Sequence, residues 1–230
     1  MPDTPRTDPP PEELPSHSPY RVSDLMTHTT IAVGRDASFK EIVELIEQWK
    51  ISALPVLEGE GRVIGVVSEA DLLPKEEFRD ADPTRYDVLR RLSDMAKAGA
   101  VTAGELMSSP AVTVHADATL AEAARIMARR RVKRLPVIND SGLLQGVVSR
   151  SDLLKVFLRE DEEIAEEIRG SVLTALPSST GVEVRVHQGV VTLAGTLSDT
   201  ALVPVLARAT RAVEGVVDIR IDLSHPVSDP

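Results

Sequence analysis

The pattern of apolar and polar positions along the chain occurs twice. Residues 65–73 read GVVSEADLL and residues 146–154 read GVVSRSDLL: an apolar run, a Ser and, three positions later, an Asp. The match extends without a gap over residues 25–73 and 106–154, at an offset of 81, and 17 of these 49 positions are identical. Such a repeat indicates two copies of one structural unit.

Each copy has the periodicity of a β-α-β-β-α unit. A short helical turn (DLM or ELM) and a short strand (TTIAV or AVTV) precede a helix that opens on Asp-Ala-Ser or Asp-Ala-Thr, whose hydroxyl can cap it. Two strands follow, LPV and the run that ends in Gly-Val-Val-Ser, and a turn containing Gly61 or Gly142 separates them. Because a three-stranded sheet is marginal alone, the two copies should pack together and share a core. The predicted apolar helix faces are Phe39, Ile42, Val43 and Ile46 in the first copy and Leu120, Ala123, Ala124 and Met127 in the second.

Two further segments flank or interrupt the repeat. Residues 1–19 are rich in Pro and poor in apolar residues, which predicts a disordered or extended arm. We assign residues 20–100 to the first repeat, with a helical insertion over about 75–100 and a helix at about 84–97, and residues 101–158 to the second repeat.

The pattern changes in the third segment, residues 160–224, which predicts the order α-β-β-α-β. Two alternating strands are joined by a tight turn at His-Gln-Gly, and Pro204 lies inside the second helix or near its first turn. The segment is acidic, since residues 160–223 contain five Arg and no Lys against eleven Asp or Glu. The apolar face of its first helix is predicted at Ile164, Ile168, Val172 and Leu176.

Composition limits the classes of function. A chain of 230 residues with 42% hydrophobic and 27% charged residues is typical of a globular protein, and its net charge of −10 argues against nucleic-acid binding. The absence of Cys excludes disulfides, thiolate metal sites and Cys nucleophiles. No 18-residue apolar run or signal-peptide core is present, so we expect a cytoplasmic protein. None of the five His forms a metal-binding pair and no catalytic motif occurs, so we expect neither a metal site nor an enzyme.

The ordered motifs resemble two known families. DLM, LPV, Gly-Val-Val-Ser and Asp-Leu-Leu, occurring twice, are similar to a tandem pair of cystathionine-β-synthase (CBS) domains, called a Bateman module. The hairpin V-x-V-x-x-G-x-V-x-L-x-G around Gly189 and Gly195, with the A-x-x-x-V-x-G-V segment at 209–216, resembles a BON domain. The resemblance implies an α/β (α+β) fold: two β-α-β-β-α CBS repeats packed around a pseudo-two-fold axis, plus a small α-β-β-α-β BON domain.

The Ser-x-x-Asp at Ser68 and Asp71, and again at Ser149 and Asp152, has two interpretations. It is a capping box, in which the hydroxyl and the carboxylate satisfy amides of the first turn. It is also suited to a ligand, because a helix N-terminus attracts phosphate and a carboxylate can accept ribose hydroxyls. In the resembled family the matching residues bind a nucleotide, with the Asp on the ribose. The two interpretations are compatible.

The two copies differ in charge. The second carries cations at Arg129, Arg130, Arg131, Lys133 and Arg134, and Arg150 follows its Ser, whereas the first has Ser52, Ala53 and the acidic Glu58, Glu60 and Glu69. The Arg run at 129–131 equally fits a solvated helix end. Guided by the resemblance, we favour a second-repeat site formed by Ala111, Val112, Lys133, Arg134, Pro136, Ser149, Arg150 and Asp152. A weaker first-repeat site would use Thr30, Ile31, Ala53, Pro55, Ser68 and Asp71.

Two functions follow from the resemblance. The first is a regulatory sensor that binds an adenosine nucleotide between the repeats, with no required cofactor and with the BON domain as an interaction or output module. The second is a CBS pair that only provides a dimerisation scaffold, with BON contacting a protein or a membrane surface. Either version is expected to be a homodimer. The nucleotide (AMP, ADP, ATP or S-adenosylmethionine), the occupancy of the first cleft and the BON partner stay open.

Overall fold

The computed structural model describes residues 20–79, 92–176 and 179–224. The predicted arm at 1–19 lies outside these residues. The described chain forms two compact units, one over Tyr20–Lys155 and one that begins at Val156. The first unit contains both repeats, and the predicted α-β-β-α-β segment lies in the second.

The first repeat has the predicted order, with each element confirmed within a few residues. Its central helix begins after Ser38, whose hydroxyl accepts a hydrogen bond from the Glu41 amide (3.3 Å), and ends at Lys50, which adopts the left-handed conformation (φ 51°). The elements are a helical turn at Val22–Leu25, β1 at Val33–Gly34, a helix at Phe39–Trp49, β2 at Ala53–Glu58, β3 at Arg62–Ser68 and a short helix at Glu69–Leu72.

The second repeat reproduces this arrangement. Thr119 caps its central helix by accepting from the Glu122 amide (3.2 Å), and Arg131 ends it with φ 55°. The elements are a helical turn at Ala103–Leu106, β4 at Val114–His115, a helix at Leu120–Arg130, β5 at Arg134–Ile138, β6 at Leu144–Ser149, a helix at Arg150–Leu154 and a 3₁₀ turn at Lys155–Leu158.

The predicted helix faces need one correction each. Ile42 is buried and Phe39 and Ile46 pack against the core, but Val43 is 40% exposed, and Leu45 packs inward instead. In the second helix Leu120, Ala123 and Met127 are buried, whereas Ala124 is exposed. Both errors have the same cause, since i+3 and i+4 neighbours fit the same period and only the packing chooses between them.

The sheets of the two repeats have the same topology. In each, a two-residue strand pairs in parallel with the LPV strand, which pairs antiparallel with the strand ending in Ser. The short strands are Val33–Gly34 and Val114–His115, so Thr30, Ile31, Ala111 and Val112 lie before them and not within them.

The repeats exchange their first segments, and this exchange builds the shared core. Thr27 of the first repeat exchanges two backbone hydrogen bonds with Val147 of β6 (2.9 and 3.0 Å), and Ser108 of the second repeat does the same with Val66 of β3 (2.9 and 3.2 Å). The buried Ala103 and Leu106 consequently belong to the core under β1–β3. The expected common core is confirmed.

The insertion between the repeats contributes two described helices, Pro74–Glu77 and Leu92–Gly99. The predicted helix at about 84–97 falls partly on residues 80–91, which lie outside the described residues; its described part belongs to Leu92–Gly99. Lys75 Nζ donates to the Ala98 carbonyl (3.0 Å) and thereby ties the two helices together.

The second unit has the predicted order. Ile164, Ile168 and Val172 are buried on a helix that continues as a π-helix, Leu176 packs beside them, and Pro204 lies in the first turn of its helix. Its three strands, β7 at Gly181–His187, β8 at Val190–Thr196 and β9 at Asp218–Ser224, lie in this order in the sheet, with β8 and β9 parallel. The helical elements are Asp161–Glu167, the π-helix Ile168–Leu173, a 3₁₀ turn at Thr200–Leu202 and a helix at Val203–Arg211.

No helix within the described ranges is both long enough and apolar enough to cross a bilayer.

Candidate functional site

A cavity of about 310 Å³ lies within the first unit, and residues of both repeats line it. Each repeat contributes the equivalent Pro and Val of its antiparallel strands, so this part of the lining is symmetric. The rest is not, because the Ser-x-x-Asp motif comes from the first repeat alone and the cations come from the second alone. The lining residues are Ser52, Ala53, Pro55, Val66, Ser68, Glu69, Ala70, Asp71, Ser108, Pro110, Ala111, Val112, Arg131, Val132, Lys133, Arg134, Pro136 and Val147.

Both Ser-x-x-Asp motifs form capping boxes. Asp71 Oδ2 accepts from the Ser68 amide (2.8 Å) and hydroxyl (2.6 Å), and Asp152 Oδ2 accepts from the Ser149 amide (2.9 Å) and hydroxyl (2.6 Å). The capping interpretation is thus confirmed in both copies. The cap uses only Oδ2 of each carboxylate, so it does not determine which donors bind Oδ1.

The second oxygen distinguishes the two copies. Asp71 Oδ1 receives Lys97 Nζ, from the insertion helix, and the Ser108 hydroxyl (3.3 Å). Asp152 Oδ1 receives Lys155 Nζ (2.8 Å), which lies one turn further along the same chain segment. Burial opposes the ionisation of Asp152, but the hydrogen bonds from Lys155 and Ser149 outweigh it and lower the pKa of Asp152 below its ordinary value.

The cations of the cavity come from the turn and strand after the second central helix. Arg131, in the left-handed conformation, directs the chain into this turn, and Lys133 and Arg134 follow on the cavity side. Arg129 and Arg130 are exposed on the last helical turn and do not line the cavity, so for these two the solvated helix end is the correct interpretation.

The acidic residues of the first repeat are only partly at the cavity. Glu69 lines it, whereas Glu58 pairs with Arg35 (3.1 Å) on the surface and, like Glu60, is absent from the lining. The cavity therefore combines three cations with Glu69 and with an Asp71 whose charge is matched by Lys97.

The structure regroups the predicted site residues. Ala111, Val112, Lys133, Arg134 and Pro136 of the favoured set line one cavity together with Ala53, Pro55, Ser68 and Asp71 of the weaker set. Ser149, Arg150 and Asp152, and likewise Thr30 and Ile31, do not line this cavity. Lys133 and Arg134 nevertheless lie next to the Ser149 motif, because Arg134 pairs with Ser149 between β5 and β6 and the Arg150 amide donates to the Lys133 carbonyl (3.1 Å). Their grouping with Ser149 and Asp152 in one binding cleft stays a prediction. The exchange of first segments brings residue 108 beside β3 of the first repeat, and Ala111 and Val112 line the cavity with Ser68 and Asp71.

The residues outside this cavity have other surroundings. Ile31 packs against the core of the first repeat, the Thr30 hydroxyl donates to the Thr27 carbonyl (3.1 Å), and Arg150 is exposed while its amide donates to the Lys133 carbonyl (3.1 Å). Their role in binding stays a prediction.

Sequence reasoning missed Ser108 and Lys97. Ser108 had a signal, since at the offset of 81 it matches Thr27, another hydroxyl residue directly after Leu-Met. Lys97 had none, because no copy of the insertion exists in the second repeat. Within the described ranges, no cluster of three or more His, Asp or Glu could hold a metal ion.

Comparison with known proteins agrees with this geometry. Residues 22–75 and 103–159 match the CBS domain model, and residues 160–224 match the BON domain model. A protein of Methanocaldococcus jannaschii, MJ1426, is 27% identical over 153 residues, 60% of this chain and 90% of that protein. CBSX2, a chloroplastic CBS domain-containing protein of Arabidopsis thaliana, is 28% identical over 159 residues, 63% of this chain and 66% of its own length.

A solved structure extends the likeness to three dimensions. The crystal structure of CBSX2 in complex with AMP is 27% identical, with a TM-score of 0.54, and the match covers 60% of this chain and 97% of that one. The covered part corresponds in length to the repeat pair. The chain is a tandem pair of CBS domains, residues 22–75 and 103–159, followed by a BON domain, residues 160–224.

Proposed function

We propose that the CBS pair is a non-catalytic regulatory module that binds an adenosine nucleotide in the cavity between its repeats. The observation that carries the proposal is the composition of that cavity. Arg131, Lys133 and Arg134 meet a helix start with a hydroxyl and a carboxylate, beside apolar strand residues.

Each part of a nucleotide has a matching group in the cavity. Cations on the second repeat suit phosphate oxygens, which bind Arg and Lys through charge-assisted hydrogen bonds. Asp71 at the Ser68 end is the acceptor for ribose hydroxyls. The adenine fits between the buried Pro55 and Pro136, where neighbouring backbone groups can contact the base edge.

The relative with a known ligand supports the class of molecule. CBSX2 has been crystallised in complex with AMP, and its likeness to this chain spans the repeat pair. This likeness and the three cations of the cavity favour AMP, ADP or ATP as the ligand. S-adenosylmethionine, which lacks phosphate, is the comparison ligand.

Calorimetry on matched charge variants tests the proposal. Lys133→Ala is expected to weaken the tightest-binding nucleotide about tenfold, since one charge-assisted contact is lost. Arg129→Ala removes the same charge four residues away but outside the cavity, so its affinity should stay within about twofold of wild type. Absence of binding by all four compounds would refute the sensor and favour the scaffold function.

A second variant tests which end of the unit holds the ribose. Asp152 does not line the cavity, so Asp152→Ala should leave the affinity within about twofold of wild type, although it removes a helix cap. A loss of tenfold or more would move the nucleotide to the Ser149 end, with Thr30, Ile31 and Arg150 as its neighbours.

We also propose that the protein is a homodimer through its CBS pair and that the BON domain is the interaction module. The BON segment is acidic, which favours a protein partner with basic or polar groups over an anionic membrane surface. Light scattering after gel filtration, with and without nucleotide, measures the oligomeric state, and a monomer in both conditions would contradict the first part.

A further inference from the structure

Donors of the protein itself occupy the acceptor positions of the Asp71 carboxylate, so a ribose has to displace some of them. Oδ2 of Asp71 accepts the Ser68 amide and hydroxyl, and its Oδ1 accepts Lys97 Nζ and the Ser108 hydroxyl. A carboxylate offers about four lone-pair positions, and four donors fill them. The side chains of Lys97 and Asp71 are only 19% and 11% exposed, so water does not screen this pair fully.

The equivalent carboxylate of the second repeat is less occupied. Within the described part of the chain three donors reach Asp152: the Ser149 amide, the Ser149 hydroxyl and Lys155 Nζ. Lys155 is 56% exposed and lies three residues from its partner, whereas Lys97 lies 26 residues from Asp71 and belongs to a different helix. The long-range pair is thus a property of the first repeat.

We infer that Lys97 competes with the ligand's ribose for Asp71, so that the insertion helix Leu92–Gly99 controls and reports binding in the cavity. This inference rests on the proposed function. A vicinal diol needs two acceptor positions on the carboxylate. Ser68 holds Oδ2 in the capping box, so the diol is expected to bind at Oδ1. Rotation of the Ser108 hydroxyl frees one position on Oδ1, and the other position becomes free when Lys97 withdraws.

The withdrawal of Lys97 has a structural consequence. The helix Leu92–Gly99 is attached near the cavity through Lys97 and, at its C-terminal end, through the hydrogen bond from Lys75 to the Ala98 carbonyl (3.0 Å). Lys97 also contacts the Ser108 hydroxyl (3.3 Å), which lines the cavity. When a ribose replaces Lys97, the helix loses one of these attachments. Nucleotide binding is therefore transmitted to the insertion.

The decisive measurement compares AMP with 2′-deoxy-AMP on the full chain. In wild type the two should bind with similar affinity, because the second ribose contact requires breaking the Lys97 pair. In Lys97→Met, AMP should tighten about tenfold, the change that one additional charge-assisted hydrogen bond produces, while 2′-deoxy-AMP stays within about threefold. Loss of a positive charge alone would weaken the binding of an anionic ligand, so tightening has the opposite sign to a general electrostatic effect.

Lys155→Met is the matched control, because it removes the lysine from the equivalent Asp152 and should change neither affinity. Equal tightening of both ligands in Lys97→Met, or weaker AMP binding, would overturn the competition. If neither ligand binds wild type or Lys97→Met, the proposed function itself fails, and this inference with it.

Hydrogen exchange provides a second readout. Addition of AMP to wild type should accelerate amide exchange in residues 92–99, and Lys97→Met should exchange faster there without AMP. Unchanged or slower exchange in wild type on addition of a nucleotide that binds would overturn the transmission to the insertion helix.

Discussion

The Ser-x-x-Asp motif makes different contacts in the two repeats, and a single lysine accounts for the difference in each. Ser68 and Ser149 both form a capping box through Oδ2 of their Asp, yet Oδ1 of Asp71 accepts from a lysine 26 residues away and Oδ1 of Asp152 from a lysine three residues away. Duplication preserved the cap because it is local, within four residues. The partner of the second oxygen comes from outside the repeated motif, so it was free to differ.

Asp152 should make the stability of the CBS pair depend on acid pH. Its pKa is lowered in the folded protein, so its contribution is present above its ordinary carboxylate pKa of 3.8 and is lost as the pH falls through the folded value. Asp152→Asn should therefore lose about 1 kcal/mol of unfolding free energy at pH 7 and less at pH 3. Urea denaturation at both pH values measures this, and an equal loss at both would contradict the assignment.

At the scale of elements, the exchange of first segments explains why positions 65 and 146 are both glycine. A Cβ at Gly146 would lie 2.7 Å from the Thr27 carbonyl oxygen, and a Cβ at Gly65 would clash with Met107 Sδ. Both positions are therefore where the segment of one repeat lies against the last strand of the other. The group that the new methyl would meet differs between the two positions. At Gly146 it is the backbone of Thr27, and at Gly65 it is the flexible side chain of Met107.

This difference predicts an order of stabilities. Gly146→Ala should cost about 1–3 kcal/mol of unfolding free energy, because the backbone of Thr27 would have to move away from β6. Gly65→Ala should cost less, because the Met107 side chain can change rotamer. Chemical denaturation of the two variants gives the comparison, and a larger loss for Gly65→Ala would show that residues 107–108 are held more rigidly than residues 26–27.

The sequence predicts the elements well because their causes are local. Caps at Ser38 and Thr119, the Gly-Val-Val-Ser strands and the alternation of β7–β9 depend on neighbours in the chain. The grouping of the site was not predictable in the same way. Whether Ala111 lies beside Asp71 or Asp152 depends on which sheet receives the segment before β4, and both sheets offer equivalent edges.

A contact between residues far apart in the sequence stabilises the BON hairpin. The Gln188 and Gly189 amides, at the tight turn between β7 and β8, donate to the carboxylate of Asp161 (2.7 and 2.8 Å). These hydrogen bonds lower the pKa of Asp161. Asp161→Ala should lower the melting temperature of this unit at neutral pH and should have less effect in acid, where the carboxylate is protonated. Calorimetric scans at two pH values measure it, and equal effects would contradict the contact.

At the scale of the whole molecule, charge is distributed unevenly over a chain of net charge −10. The cations that matter for the proposed ligand are concentrated in the second repeat at the cavity, whereas residues 160–223 contain eleven acidic residues against five Arg. A nucleotide is thereby attracted to the cavity of the CBS pair, whereas the negative charge of the BON segment repels phosphates. The two charge patterns favour a division into a sensing and an interacting unit.

This division predicts the behaviour of the full chain with lipid. Vesicles that contain phosphatidylserine should not bind the protein in flotation at physiological salt, because the acidic BON segment is repelled by the negative surface potential. Zwitterionic vesicles serve as the control and should give the same absence of binding. Flotation with anionic vesicles that weakens as salt is added would contradict the expectation, because it would show that the cations near Lys133 bind lipid phosphates. In that case AMP should displace the protein from the vesicles, since both would need the same side chains.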